Sequence, residues 1–376
     1  MENRITAVLK ELVQINSVNP TLSGGPGESE LAQFIRHFFD RLELDAEVQP
    51  VAPNRTNVVA IITGAKPKRS LLLNGHLDTV GVESMPDPFH LKRKGDRLYG
   101  RGAYDMKGSL TLMLLLAEHF ARHPPSLDVW LTFTVDEEDK SMGMEYLVKK
   151  WLPAISPRPG GAIFLEPTEL EIGVCHKGFG WYEIVVTGKA AHGSRPAEGI
   201  DAIFPLKAAL EELSKIQCEL FEGRKDPFLG HATLHASRIE GGSELSVIPA
   251  TSKLYWERRT LPEEVPEALG LELDRVIKAV KESPGDHHVT GREIFIRPPY
   301  RAPKNAEIVK KLKAASPTSK PTGMPFWADA ALSGLAGIPS VLFGPAGHGA
   351  HAADEWVSLK SLVTVYEVLK KLIEHY

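Results

Sequence analysis

The sequence predicts an α/β protein in two parts, an outer domain built on a mixed sheet and a β-α-β-β-α-β unit inserted within it. Three observations carry this. Apolar strand-like runs alternate with helical periods up to about residue 177. Between residues 178 and 295 the pattern changes to alternating strands with two helices. Carboxylates and imidazoles follow apolar runs on both sides of that stretch, which places residues 1–177 and 296–376 in one domain and 178–295 in the insertion.

In chain order, Ile5, Val8, Leu9, Leu12 and Val13 repeat with a helical period, and a second helix is expected over 28–42. Strands are expected at 57–62 and 71–73, then a helix over 107–119. The runs 129–135 and 162–165 are nearly continuous in apolar residues, as central strands covered on both faces should be. Residues 181–187 alternate, and a helix then carries Ile203, Leu206, Leu210, Leu213 and Ile216. Strands near 232–239 and 251–256, a helix through Leu269, Leu273, Val276, Ile277 and Val280, and a strand around 294–296 complete a ferredoxin-like order. The last helix passes through Leu359, Leu362, Val363, Tyr366, Leu369 and Ile373.

A chain of 376 residues is long enough for two domains, and 43% hydrophobic with 24% charged residues is ordinary for a globular protein. The formal net charge of -4 offers no electrostatic attraction to nucleic acid or an anionic membrane. Basic runs at 66–69 and 92–94 are short and lack interleaved aromatics, so they read as solvated loops. Cys175 and Cys218 have no motif spacing, which excludes a disulfide framework or a cysteine zinc site and suits a reducing compartment. The first residues are charged throughout, and the apolar stretch 110–117 is far short of the ~20 residues that span a bilayer. The expectation is a soluble, cytoplasmic protein.

The candidate chemistry lies after the apolar runs. His76 and Asp78 stand two apart on an extended segment, so Asp78 can accept the second ring N–H of a metal-bound His76. A buried His–Asp pair would look the same. Asp105, in a glycine-bracketed segment before a helix, suits a ligand or an N-cap. Glu137 and Glu138 repel unless metal or protons intervene; one can ligate while the other takes a proton from water. A solvated acidic turn over 136–139 is the competing reading. Glu166-Pro167 ends another apolar run, and His348 and His351 offer imidazoles on a glycine-rich loop. No Gly-x-Ser-x-Gly occurs and neither cysteine has motif context, so covalent catalysis has no candidate. Lys107 precedes its glycine instead of following it, and the phosphate-loop pattern fails.

Taken together, Asn-Gly-His76-Leu-Asp78-Thr-Val, Gly-Arg-Gly-Ala-Tyr-Asp105-Met-Lys-Gly, Asp-Glu137-Glu138, Glu166-Pro-Thr and Gly-Ala-His351-Ala-Ala-Asp-Glu resemble a di-zinc family of amidohydrolases and exopeptidases. That family contains acetylornithine deacetylase, succinyl-diaminopimelate desuccinylase and glutamate carboxypeptidase. The likeness covers nearly the whole chain. It implies a zinc-exopeptidase-like catalytic domain and an inserted dimerisation or lid domain, in a homodimer. It also implies two divalent metal ions, Zn2+ first, with Co2+ or Mn2+ compatible with the same ligands.

By motif, the resemblance places His76, Asp105 and Glu138 around one ion. Asp105, followed by a cis peptide, bridges to a second ion held by Glu166 and His351, with His351 preferred over His348. Glu137 becomes the general base and Asp78 the group that orients His76. His192, in Ala-Ala-His192-Gly-Ser-Arg-Pro, would donate to the oxyanion in the partner subunit, although it could instead cap a turn at the start of the helix near 203–216. Arg258 would grip a substrate carboxylate, with Arg259 the alternative, or both could form structural ion pairs. Ser246 and Gly347 fall in the substrate pocket. Departures from the family pattern at Ser246-Val-Ile-Pro and Ala328-Asp329-Ala lie there too, so substrate specificity does not transfer.

The implied activity is hydrolysis of the amide bond of an N-acyl amino acid by a metal-bridged hydroxide. A carboxypeptidase or dipeptidase using the same centre is the alternative, and a catalytically inactive metal-binding protein is the alternative of another class.

Overall fold

The strand Ser70–His76 is buried along its whole length and lies in the middle of the first sheet. The computed structural model describes residues 1–65, 69–82, 84–265 and 267–376. Of the basic run 66–69, residues 66–68 lie outside the described residues. Contacts divide the chain into two compact units. One comprises Met1–Val174, Arg301–Thr322 and Ala328–Tyr376; the other comprises Cys175–Tyr300 and Gly323–Trp327, the last segment being absent from the sequence-based insertion.

In the first unit the strands run in the order Ala46–Ala52, Arg55–Ile62, Asp128–Thr134, Ser70–His76, Gly161–Phe164, Ser340–Leu342 and Ile172–His176. The four from Asp128–Thr134 to Ser340–Leu342 are mutually parallel, and the flanking pairings are antiparallel. The sheet is therefore mixed. Parallel central strands must be covered on both faces, which explains their nearly continuous apolar runs. Helix Gly108–Arg122 is buried on every side over its first ten residues, and Glu2–Gln14 and Leu359–Glu374 pack against it. Because the four central strands point the same way, the loops leaving their C-terminal ends open on one edge of the sheet.

Helix Ser29–Arg41 packs on Arg55–Ile62. The basic run 92–94 corrects an expectation. It is an exposed edge strand, Lys92–Lys94, paired with Arg97–Tyr99, and not a loop. Three residues are too few for a period to show.

In the second unit Gly178–Thr187, Leu206–Glu222, Thr233–Gly241, Thr251–Thr260, Glu267–Lys281 and His288–Arg297 form β-α-β-β-α-β. Its antiparallel sheet has the order Thr233–Gly241, Thr251–Thr260, Gly178–Thr187, His288–Arg297. Ile184, Leu213, Leu254, Trp256 and Val276 belong to its core. The last strand has ten residues, not the three expected, because its first half is mostly solvent-facing and a register shift at Glu293/Phe295 breaks the alternation. Among the described residues no helix is long and apolar enough to cross a membrane.

Candidate metal centre

His76 is the last residue of its strand. Its Nδ1 lies 2.9 Å from the main-chain carbonyl of Asp78. A carbonyl can only accept, so Nδ1 carries the proton and the Nε2 lone pair is free to ligate. That Nε2 faces Asp105 Oδ1 at 3.0 Å and Glu166 Oε2 at 3.9 Å. The other oxygen of Asp105, Oδ2, lies 3.5 Å from His351 Nε2, which is 3.0 Å from Glu138 Oε2.

Asp105 thus belongs to two trios, His76–Asp105–Glu166 and Asp105–Glu138–His351, each with ligand atoms within 4.8 Å of one another. This corrects the expected division, in which the two glutamates were exchanged. Asp136, at φ 70°, turns the chain so that the adjacent side chains part: Glu138 meets His351, while Glu137 faces Glu166 and His76. His348 lies outside both trios, 3.5 Å from Asp354. Asp105 does not cap the following helix, whose N-terminal position is Lys107, without a side-chain cap. The Asp105–Met106 peptide is cis.

Burial, followed by the charge of neighbouring carboxylates, pushes Glu137 well above the usual range, and Glu166 rises to about 8 for the same first reason. Burial raises Glu138 too. Asp105 behaves oppositely: burial would raise it, but hydrogen bonds to His351 and His76 hold it below the usual carboxylate range. Hydrogen bonds to Asp105 and Glu138 lift His351 to about 10. Four carboxylates therefore share two imidazoles, an excess of acidic groups that hold protons in the metal-free chain and that divalent cations would neutralise in their place. Glu138 Oε1 is buried and has no hydrogen-bond partner among the described residues, leaving an acceptor for a cation. Oxygen and imidazole donors without sulfur fit zinc, cobalt or manganese.

Asp78 orients His76 differently from expectation. Its carboxylate is 3.6 Å from Nδ1, farther than its own carbonyl. Instead it accepts the amides of Glu137 at 3.1 Å and Glu138 at 3.2 Å. Two further carboxylates, not foreseen, tie the ligand loops. Glu355 accepts from the amides of Gly102, Tyr104 and Asp105 at 3.0, 2.9 and 3.1 Å, and from Arg101 Nη1 at 2.7 Å. Glu169 accepts from Tyr104 Oη and from the Gly347 amide, so the N–H of Gly347 is already engaged. Glu355 was visible in the motif around His351, but nothing in the sequence shows which amides it meets.

In the second unit Arg258 is 1% exposed. Its Nη2 lies 2.7 Å from Glu264, its Nε 3.0 Å from Glu272, and its Nη1 donates to the Arg259 carbonyl at 2.6 Å. This corrects its assignment to a substrate carboxylate: all three guanidinium nitrogens are already engaged within the unit. Strand parity is the reason, since Arg258 shares the buried face with Leu254 and Trp256. Arg259, on the other face, pairs with Glu257 at 2.6 Å and lies 5.3 Å above the Phe179 ring.

His192 is exposed, and its Nδ1 accepts the Ser194 amide at 3.2 Å, which makes Nε2 the N–H donor. It does not cap the Leu206–Glu222 helix region; Asp201 takes the amides of Ile203 and Phe204 there. Ser246 is exposed, and its carbonyl accepts the Gly193 amide at 2.7 Å.

The profile described as Peptidase family M20/M25/M40 matches residues 72–375. The chain is similar to acetylornithine deacetylase of Buchnera aphidicola subsp. Schizaphis graminum, 27% identical over 379 residues, covering 99% of this chain and 97% of the relative. Its fold is similar to that of a tripeptidase from Staphylococcus aureus, with a TM-score of 0.81, 21% identity, and coverage of 100% and 98%. It is also similar to that of an M20 family metallo-carboxypeptidase from Sulfolobus solfataricus, with a TM-score of 0.78, 18% identity, and 98% of each chain covered.

Proposed function

The chain belongs to peptidase family M20/M25/M40 and is a metal-dependent hydrolase of amide or peptide bonds; from that premise we propose that it removes the acyl group from an N-acyl amino acid. The observation that carries the hydrolytic centre is Asp105, which turns one carboxylate oxygen toward each of two ligand trios with Glu137 alongside. We assign His76, Asp105 and Glu166 to one ion and Asp105, Glu138 and His351 to the other, zinc being the first candidate. Divalent ions held by these residues would supply Lewis-acid chemistry, lowering the pKa of water and polarising the scissile carbonyl.

The chain supplies the rest. Glu137 coordinates no ion in this assignment and lies beside His76 and Glu166, where its raised affinity for protons suits it to accept one from water and return it to the leaving amine. His192, with Nε2–H free to donate, is assigned to the oxyanion of a partner subunit. Arg259 takes over from Arg258 as the candidate for the substrate carboxylate, and the engaged amide of Gly347 leaves its carbonyl or its lack of a side chain as its contribution.

The acyl reading rests on the deacetylase relative that spans nearly the whole chain. A second reading, cleavage of a short peptide by the same centre, is favoured by the peptidase names of the fold neighbours. Metal-reconstituted protein assayed on N-acetyl amino acids and on dipeptides separates the two. Turnover of dipeptides alone would overturn the first. The inactive binding-protein alternative gives no use for Glu137.

Homodimerisation through the second unit is part of the proposal. Thr233–Gly241 lies at the sheet edge, and exposed Ile203, Phe204 and Ile239 line one apolar groove there. A monomer in solution with full activity would remove the partner role of His192. A chain of 376 residues with two cysteines, Cys175 buried and Cys218 exposed, agrees with a cytoplasmic location.

A further inference from the structure

Behind the Glu137–Glu138 turn lies a buried polar network that the proposed mechanism leaves unused. Residues 17–19 run beside the segment after His76: Val18 bridges Thr79 in parallel, Thr79 N donates to Ser17 O at 3.1 Å, and Asn19 N donates to Thr79 O at 2.9 Å. This holds Asn19, which is fully buried, against Asp78. The Asn19 amide nitrogen donates to Asp78 Oδ2 at 2.8 Å and to Asp136 Oδ1 at 3.1 Å. Its oxygen accepts the amides of Thr21 at 3.0 Å and Leu22 at 3.1 Å, capping a short helix. Arg55 Nη1 donates to the same Asp136 oxygen at 2.6 Å, and its other nitrogens are held by Glu28.

We infer that Asn19 is a positioning residue for the catalytic turn, a neutral amide clamp that joins Asp78 to Asp136 and so sets the main chain of Glu137 and Glu138. Asp78 grips that turn by its two amides, and Asp136 is the residue immediately before it. Asn19 is the member that hydrogen-bonds both. The residue type follows from charge. Three carboxylates, Glu28, Asp78 and Asp136, already lie around the single guanidinium of Arg55. Aspartate caps a helix as well as asparagine does, but here it would set a fourth carboxylate at hydrogen-bond distance from two others. Capping alone does not require asparagine at this position. The clamp does.

The inference rests on the assignment of Glu137 and Glu138 to base and ligand, and its test keeps the two apart. Asn19→Ser and Asn19→Asp both retain a capping oxygen; serine deletes the clamp, and aspartate turns it to repulsion. Co2+ titration, followed by its absorption spectrum, reads the geometry of the ligand set without any substrate. Thermal unfolding reports stability separately. The expected result is Co2+ binding weakened at least about tenfold in Asn19→Asp, with a smaller loss in Asn19→Ser, both in folded protein. Turnover falls through kcat with KM nearly unchanged. Equal Co2+ affinity and spectrum in wild type and both variants would overturn the clamp, even if melting temperatures fall. If Asn19→Asp does not fold, Asn19→Ser decides by the same measurements. Wild type that binds two Co2+ but hydrolyses neither panel would overturn the proposed function, and the titration would still judge the clamp.

Discussion

Each unit buries a cluster of charged side chains, and the two clusters differ in whether their charges close on themselves. In the second unit Arg258 meets Glu264 and Glu272, and its remaining donor reaches a carbonyl. In the first unit four carboxylates surround two imidazoles, and Glu137, Glu138 and Glu166 are all pushed upward. Both clusters are buried and both contain residues that a sequence motif marks. Burial of charge therefore does not identify a site; buried carboxylates with no permanent cation among them do.

Glu137→Gln tests the open cluster most severely. Turnover should fall ~10²–10⁴-fold while two equivalents of metal still bind. Retained hydrolysis would make Glu137 one more structural carboxylate and erase the contrast. The protons of the open cluster give the next test. With pKa values of about 8 and about 10, Glu166 and His351 are largely protonated at neutral pH in the metal-free chain, and a metal must displace those protons. Apparent metal affinity should then rise steeply from about pH 6 to about pH 9, with proton release seen calorimetrically in buffers of different ionisation heat. A flat profile would mean that the ligands are already deprotonated and that the cluster is less unbalanced than its geometry suggests.

For the closed cluster, Arg258→Ala should cost roughly 3–5 kcal/mol in urea unfolding, because it strands Glu264 and Glu272. The kcat/KM of the folded fraction should be unchanged. Lost kcat/KM at unchanged stability would return Arg258 to substrate binding. The smallest effect belongs to His348→Ala, expected within about 0.5 kcal/mol of wild type and without effect on metal stoichiometry. His351→Ala should lose one equivalent.

Much of the site was legible before any coordinates. His76, Asp105, Glu138, Glu166 and His351 follow or adjoin apolar runs, and parallel strands do bring such positions to one edge. Legibility ended where side-chain direction mattered. Glu137 and Glu138 are adjacent in sequence, and only the turn at Asp136 decides which of them meets His351. Asn19 and Arg55 lie 117 and 81 residues from Asp136, without periodicity or motif to connect them. Arg258 is the instructive miss, because the alternation of Leu254, Trp256 and Arg258 already placed it on the buried face.

By itself the sequence determined the α/β class, the β-α-β-β-α-β order of the second unit and the chemical types available for ligation. Those properties depend on the order and local period of residues along the chain, which secondary structure translates directly. Tertiary structure alone decided which carboxylates share a trio, that Asp78 grips the turn at Glu137 and Glu138, and which arginine is already engaged. Each is set by pairings between distant segments, and the partner a side chain meets separates a closed ion pair from an open ligand.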